Sequence, residues 1–175
     1  GFQELRAQGK VRFFGITGLG DTETLRAILD SESMDTVQAC YNLLNPSGGV
    51  SGTPKFYTQD YGQLIDRAAS KGAGIIVIRV MAAGALTGVS DRHPLALPRV
   101  SPIGSATEYE EDVRRANSFQ YLVEEGVVDS LPEAALRFVL SKGEVSTALA
   151  GVSSLEQLEQ SLAWAEKGPL PQAAI

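Results

Sequence analysis

Short runs of hydrophobic residues alternate along the chain with longer stretches in which apolar positions recur at helical spacing. This alternation is typical of a parallel sheet whose strands are connected by helices. The hydrophobic runs predict four strands, near residues 11–16, 36–41, 74–80 and 145–150. The run from Gly74 to Ile78 is rich in β-branched residues, as expected of a strand covered on both faces. The pattern therefore predicts an α/β domain of four β/α units over residues 1–175.

Helical spacing of the apolar residues predicts the helices between these strands. They are expected from about residue 21, over 54–71, 107–125 and 131–141, and from residue 154. Two of them begin with capping boxes, at Ser130 to Glu133 and at Ser154 to Gln157. Leu155, Leu158 and Leu162 give the last helix an apolar stripe. The chain also begins inside a helical pattern, which is expected of a cut through a longer architecture.

Composition and charge narrow the classes of function. A length of 175 residues with 43% hydrophobic residues is ordinary for one globular domain. The net charge of −6 disfavours nucleic acid and anionic membranes as partners. The longest apolar run, 74–84, is interrupted by Arg79 and is too short to cross a bilayer, and the N-terminus does not resemble a signal peptide. With Cys40 as a buried, reduced thiol, these features predict a cytoplasmic protein.

Three loops after predicted strands are candidates for ligand binding, because strand ends and helix N-termini present N–H groups to anions there. They are residues 15–20, 81–88 and 151–154. The first lacks the Gly-x-Gly-x-x-Gly spacing, and a plain tight turn is favoured over a phosphate contact. The small residues of the second suit either a pyrophosphate or close packing. In the third, helix capping by Ser154 and Gln157 is favoured over ligand contact.

Side chains suited to acid–base or metal chemistry are sparse. His93 is the only histidine, and an exposed or locally hydrogen-bonded role in its loop is favoured over catalysis. The acidic runs 110–112 and 124–125 are predicted to be solvated helix faces. Packing explains Tyr41 and Tyr57 more readily than a pocket does. One Cys and one His form no zinc site of ordinary spacing, so no catalytic residue and no metal site are predicted.

Four segments, in order, resemble the C-terminal half of the aldo/keto reductase family. Residues 5–17, LRAQGKVRFFGIT, resemble the passage into the family's fifth strand, and residues 37–44, VQACYNLL, its sixth. Residues 82–88, AAGALTG, resemble the turn after the seventh strand, and residues 150–158, AGVSSLEQL, the eighth strand and last helix. The resemblance implies half of a (β/α)8 TIM barrel, a parallel sheet flanked by helices. It also implies an oxidoreductase fold that holds NADPH or NADH across these loops for hydride transfer to carbonyls.

Carried over by position, the resemblance implies contacts with each part of the cofactor. Thr17 and Gln38 would meet the nicotinamide carboxamide. The pyrophosphate would lie against Ala82, Ala83, Gly84 and Leu86, and the adenosine end against Gly151, Val152, Ser153, Gln157 and Ser161. Three features depart from the family pattern. Gly18 stands where the family has Asn, Ile78 where it has a Tyr that stacks on the nicotinamide, and basic residues for a 2′-phosphate are absent near Gly151. The expected cofactor is NADP or NAD, held weakly or as a vestige.

The family's catalytic Asp, Tyr, Lys and His come from its second to fourth strands, which would precede Gly1. The chain is therefore expected to be inactive alone. The alternatives are a non-catalytic self-assembling or interaction module, and a fragment of a full-length NAD(P)H-dependent carbonyl reductase. Because a half-barrel leaves its first and last strands unpaired, we expect a homodimer that pairs the first strand of each copy with the last strand of the other. Any other dimer that buries the open face is the alternative.

Overall fold

Four parallel strands form a sheet in chain order. A computed structural model describes residues 1–31, 34–52, 58–98 and 100–174. The strands are β1 (Gly15–Gly18), β2 (Thr36–Cys40), β3 (Gly74–Ile78) and β4 (Val145–Ala148). The α-helices are α1 (Phe2–Ala7), α2 (Thr22–Ser31), α3 (Leu64–Ser70), α4 (Tyr109–Ala116), α5 (Tyr121–Glu124), α6 (Leu131–Leu140) and α7 (Leu155–Glu166). Short 3₁₀ helices lie at Ala82–Thr87, Asn117–Phe119 and Gln172–Ala174. The predicted α/β class and four-stranded parallel sheet are confirmed.

The two faces of the sheet differ in burial. Val37, Ala39, Ile75 and Val77 point to one face, where they are fully buried against apolar residues of α2, α3 and α6. The alternate residues, such as Gln38, are only partly covered. Because side chains alternate between faces along a strand, one face carries the core and the other stays partly open.

The first strand lies further along the chain than residues 11–16. It begins at Gly15 because Gly15 pairs with Thr36, the first residue of β2, so the preceding residues have no strand to pair with. The Asp35 carboxylate accepts the N–H of Phe14 instead, at 2.9 Å. The other strands begin where predicted and end one or two residues earlier, β3 because Arg79 adopts a left-handed conformation with φ of 61°.

The helix predicted over 54–71 is shorter in the structure. Its beginning, including Pro54 and Tyr57, lies outside the described residues, and α3 starts only at Leu64. Gly62 and Gln63 have positive φ of 56° and 58°, which interrupts helical geometry just before α3. The backbone N–H of Tyr61 also donates to the Ser47 hydroxyl rather than to a helical carbonyl.

The region predicted as one helix over 107–125 is divided into α4, a 3₁₀ turn and α5. The Asn117 side chain donates to the carbonyls of Val113 and Gly88, which ties the end of α4 to the loop after β3. Both predicted capping boxes are confirmed: the Ser130 and Ser154 hydroxyls accept from the N–H groups of Glu133 and Gln157. None of the helices in the described ranges is long and apolar enough to cross a membrane.

Candidate functional site

Thr17 and Gln38 meet on neighbouring strands. They are register partners in β1 and β2, and the Thr17 hydroxyl lies 3.3 Å from Gln38 Oε1, to which it donates. Thr17 is exposed and Gln38 half-buried, so both side chains are accessible from the open face. The pair presents a hydroxyl and a carboxamide, which are groups suited to hydrogen bonding with a ligand amide.

The segment after β3 has an unusual backbone. Ala82 and Ala83 adopt positive φ of 46° and 59°, and Gly84 follows at 102°. Left-handed conformations cost a non-glycine residue about 1 kcal/mol each, and they cluster at ligand sites. The side chains of Ala82 and Leu86 are buried in the core. This segment therefore offers a ligand its backbone more than its side chains.

Arg92 holds this segment from outside. Its Nη1 donates to the Ala83 carbonyl at 2.7 Å and its Nε to the Leu97 carbonyl at 2.6 Å, while the guanidinium lies 5.2 Å from the centre of the Tyr109 ring. A Cβ on Gly84 would come within 3.2 Å of Arg92 Nη1, and the positive φ of 102° at Gly84 also disfavours a side chain there. Arg92 was not predicted from the sequence, because a single basic residue in a long loop carries no distinctive pattern.

The segment after β4 is organised by the start of α7. The hydroxyl of the N-cap Ser154 accepts the N–H of Gln157 at 3.3 Å, and Gln157 Oε1 accepts the N–H of Ser153, the residue before the N-cap, at 2.7 Å. The Ser161 hydroxyl donates to the Gln157 carbonyl at 2.7 Å. Gly151 and Val152 are exposed. The capping interpretation of Ser154 and Gln157 is confirmed, and the side-chain oxygen of Gln157 is occupied by the N–H of Ser153.

Two buried asparagines connect these loops. Asn42 donates to the Arg79 carbonyl at 2.9 Å, and Asn45 donates to the carbonyls of Gln59 and Gly104 at 2.9 and 2.7 Å. In the sequence, Asn45 begins a stretch rich in Gly, Ser and Pro, which is typical of a loop. Their role was not predictable, because asparagine in such a loop is equally typical of a plain turn.

The thiol of Cys40 is inert. Cys40 is buried and its Sγ donates to the Ile103 carbonyl at 3.6 Å. Burial raises the pKa of the thiol to about 11, although the Tyr61 hydroxyl and the Arg79 charge act to lower it. A protonated thiol is a poor nucleophile at neutral pH, so the predicted buried, reduced cysteine is confirmed.

The remaining candidates for chemistry are mostly accounted for by packing. Tyr41 is buried with its ring stacked on Phe138 at 4.9 Å, which confirms the packing interpretation. The Nδ1 atom of His93 accepts the N–H of Leu95 at 3.2 Å, as expected of a locally hydrogen-bonded histidine. Among the described residues, no three His, Cys, Asp or Glu side chains come together as a metal site would require.

The prediction that 110–112 form a solvated face is wrong for Asp112. This carboxylate is 1% exposed and accepts a hydrogen bond from the Ser105 hydroxyl, with Arg115 at 3.4 Å. Burial raises the pKa of Asp112, while the Ser105 hydrogen bond and the Arg115 charge act to lower it. Asp112 is buried because the loop before α4 folds back over it, which helical periodicity does not reveal.

Gly18, where the family has Asn, has no space for a side chain. A Cβ there would lie 2.7 Å from the Gln38 carbonyl oxygen and 2.8 Å from Leu64 Cδ2. We therefore expect Gly18→Asn to lower the free energy of unfolding by about 1–3 kcal/mol through overpacking, rather than to add a ligand contact. Chemical denaturation measures this change, with Gly143→Asn as the control, because no atom lies within 4 Å of a Cβ at Gly143 and its φ is not positive. A fully stable Gly18→Asn variant would contradict the packing described.

Comparison with known proteins identifies the family. A family model described as "Aldo/keto reductase family" matches residues 1–175. The chain belongs to the aldo/keto reductase family. The predicted resemblance is confirmed, and the reductase chain is similar over 163 residues, at 28% identity, to L-galactose dehydrogenase of Arabidopsis thaliana. That match covers 92% of this chain and 44% of the relative.

Solved aldo/keto reductase structures show the same fold. The apo and holo forms of the aldo-keto reductase AKR11C1 from Bacillus halodurans match with TM-scores of 0.63 and 0.66, at 23% and 22% identity. Each match covers 99% of this chain and 52% or 51% of the solved chain. The glycerol dehydrogenase AKR11B4 from Gluconobacter oxydans matches with a TM-score of 0.52 at 17% identity, covering 97% of this chain and 54% of that one. The chain spans about half the length of these relatives, and its four β/α units are the predicted half-barrel.

Proposed function

We propose that this aldo/keto reductase chain binds a nicotinamide dinucleotide across the carboxyl ends of its strands. The observation that supports this most directly is the order of the sheet. Thr17 lies in β1, Gln38 in β2, residues 82–86 follow β3 and residues 151–157 follow β4. Because the four strands are parallel neighbours, these segments all reach the same edge of the sheet. Parallel sheets bind ligands outside the carboxyl ends of their strands.

Each segment has a proposed role in this binding. Thr17 and Gln38 would hold the nicotinamide carboxamide, residues 82–86 the pyrophosphate, and residues 151–157 with Ser161 the adenosine end. The nicotinamide end is held weakly, because Gly18 offers no side chain and Ile78 offers an aliphatic group in place of a stacking ring. A dissociation constant in the high micromolar range is therefore expected.

The adenosine end favours NADH over NADPH in this proposal. Glu156 is exposed beside Gln157, and residues 149–166 contain no Lys or Arg. Hydrogen bonding from its own backbone N–H and from the Ser154 hydroxyl lowers the pKa of Glu156, so the carboxylate is charged at neutral pH. A charged carboxylate at this position repels a 2′-phosphate. NADH should thus bind at least as tightly as NADPH.

We further propose that the chain alone does not reduce carbonyls. Hydride transfer to a carbonyl also needs a proton donor, and a positioned donor contributes about 10²- to 10⁴-fold to the rate. His93 is engaged in its own loop, and burial raises the pKa of Tyr41 and Tyr61. In an enzyme of full family length, the proton donor would come from the other half of the barrel.

Titration with NADH and NADPH, followed by nicotinamide fluorescence, tests the proposed binding. Saturable binding of NADH, with NADPH no tighter, is the expected result, together with no oxidation of the bound cofactor by aldehyde substrates. If neither dinucleotide saturates the protein at millimolar concentration, the proposed function is wrong. If binding is saturable and an aldehyde is reduced, the binding proposal stands and the proposed inactivity is wrong.

Arg92 should strengthen this binding through its charge. Among the described residues it has no carboxylate partner within 4 Å, and it lies directly on the proposed pyrophosphate segment. We expect Arg92→Gln to weaken NADH and ADP binding about tenfold, since a hydrogen bond to a charged group contributes roughly 1.5–3 kcal/mol. Arg92→Lys should lose less, because it keeps the charge.

A comparison of ADP with adenosine, which lacks the pyrophosphate, shows whether Arg92 attracts the pyrophosphate or only supports the loop. The ratio of ADP to adenosine affinity should fall in Arg92→Gln and stay unchanged in Arg114→Gln, a control at an exposed arginine of α4. Equal losses in the Gln and Lys variants, with an unchanged ratio, would mean that Arg92 only braces the loop.

A further inference from the structure

The two edge strands of the sheet lie next to exposed apolar surface. Beside β4, the α7 stripe is open to solvent, with Leu155, Leu158 and Leu162 exposed by 64%, 43% and 58%. Beside β1, Phe13 is exposed by 66%. We call the surface of Phe2, Lys10, Arg12 and Phe13 the β1 edge, and the surface of α7 with Leu149 and Val152 the β4 edge. Clustered large apolar side chains of this kind mark an interaction surface.

The two edges carry opposite charge. Lys10 and Arg12 are exposed on the β1 edge, where residues 8–20 contain no acid, although Glu4 lies nearby on α1. The β4 edge carries Glu156, Glu159 and Glu166, all exposed, and residues 149–166 contain no Lys or Arg. In the described part of the chain, no ion-pair partner lies within 4 Å of Lys10, Arg12, Glu156, Glu159 or Glu166. Lys167, the residue after α7, is paired with Asp129 and Glu133. A basic, aromatic edge and an acidic, leucine-rich edge are complementary to each other.

Strand direction allows the two edges to join. β1 and β4 run parallel within the same sheet, each with one side unpaired in the described structure. Two copies related by a two-fold axis would pair the β1 of each copy with the β4 of the other, in two equivalent contacts. Four strands from each copy make eight, a number at which inward side chains fill a barrel. The partly open faces, including Thr17 and Gln38, would then line the interior.

We infer that a second copy of this chain covers both edges and closes an eight-stranded barrel. The charge complementarity favours contact between unlike edges over contact between like edges, because two β4 edges would repel each other. Dimer formation is independent of dinucleotide binding, because it is tested by the mass of the protein in solution.

Sedimentation equilibrium of the full chain at micromolar concentration should give twice the chain mass of 18.6 kDa. Replacing Leu155, Leu158 and Leu162 together by Ser should raise the dimer dissociation constant by at least about 100-fold, given the apolar area removed from the contact. The matched control replaces Val89 and Tyr121 by Ser, because these side chains are exposed by 55% and 45% and belong to neither edge. A monomeric wild type would overturn the inference and leave the edges to the other half of a longer reductase polypeptide.

Charge reversal tests which edges meet. Lys10→Glu with Arg12→Glu should dissociate the dimer at low salt, and so should Glu156→Lys with Glu159→Lys. Combining the two reversals should restore it. All four positions are exposed, so folding, checked by circular dichroism, should be unaffected. If the combined variant remains monomeric, or if the single-edge reversals remain dimeric, the pairing of unlike edges is wrong.

Discussion

Replacing Glu133 by Ala is expected to lower the free energy of unfolding by about 3–5 kcal/mol, because it leaves a buried arginine without its counter-charge. Glu133 is fully buried and accepts from Arg137 at 2.8 Å, from Lys167 at 3.0 Å and from the N–H of Asp129 at 3.0 Å. Arg137 in turn donates to the carbonyls of Gly168 and Pro169. The network attaches the residues after α7 to α6.

The same carboxylate makes stability depend on pH. Burial acts to raise the pKa of Glu133, but hydrogen bonds from Asp129, Lys167 and Arg137 outweigh it and hold the pKa below its ordinary value of 4.5. A lowered pKa in the folded state means that the stabilisation is present above pH 4.5 and is lost as the pH falls through the folded value. The difference between wild type and Glu133→Ala should therefore narrow in acid.

Urea denaturation at several pH values measures both effects. Glu124→Ala is the control, because Glu124 is exposed and has no ion-pair partner in the described residues. It should change stability by less than about 0.5 kcal/mol. A Glu133→Ala variant as stable as this control would mean that the network does not stabilise the fold. A difference independent of pH would mean that the charge of the Glu133 carboxylate does not contribute.

Replacing Asn45 by Leu is expected to cost about 3 kcal/mol. Asn45 is fully buried, and its oxygen accepts from the N–H and the hydroxyl of Ser47 at 3.1 and 2.6 Å, while its nitrogen donates to Gln59 and Gly104. Leucine has the same branched shape but cannot form hydrogen bonds, so it leaves these partner groups unsatisfied, at roughly 1–3 kcal/mol for each group that stays buried. Chemical denaturation measures the loss.

The control for Asn45→Leu is Thr107→Val, because Thr107 is polar and exposed and lies three residues after Gly104. Its stability should be close to that of the wild type. The Asn45→Leu variant should also bind dinucleotide more weakly, because the Asn45 backbone N–H donates to the Asn42 side chain, which in turn donates to the Arg79 carbonyl before residues 82–86. If the free energy of unfolding fell by less than 1 kcal/mol, the hydrogen bonds of Asn45 would not stabilise the fold as described.

Features of the fold that depend on neighbouring residues were predicted correctly from the sequence. The β-branched run at 74–78 is a strand, and the boxes at Ser130 and Ser154 cap helices, because each depends on residues within a few positions. The predicted start of β1 was wrong, because β1 begins where β2 begins: Gly15 pairs with Thr36, 21 residues later in the chain. The bonds of Asn45 to Gly104 and of Asp112 to Ser105 likewise need the folded loops.

The candidate site divides in the same way. The resemblance predicted Thr17 and Gln38 together, and the parallel register places them side by side. Arg92 escaped prediction because its contact with Ala83 depends on the path of a long loop. The leucine stripe of α7 was read correctly from its spacing, but periodicity does not say what such a stripe packs against, and in this chain it is exposed.

Hydrogen–deuterium exchange with and without saturating NADH tests the central claim most directly. The account predicts slower exchange of backbone amides in residues 15–20, 80–88 and 151–161 when NADH is bound, and unchanged exchange around Gly72 and Gly143, which lie at the opposite ends of β3 and β4. Protection confined to other parts of the chain, or saturable NADH binding without protection in these three segments, would contradict it.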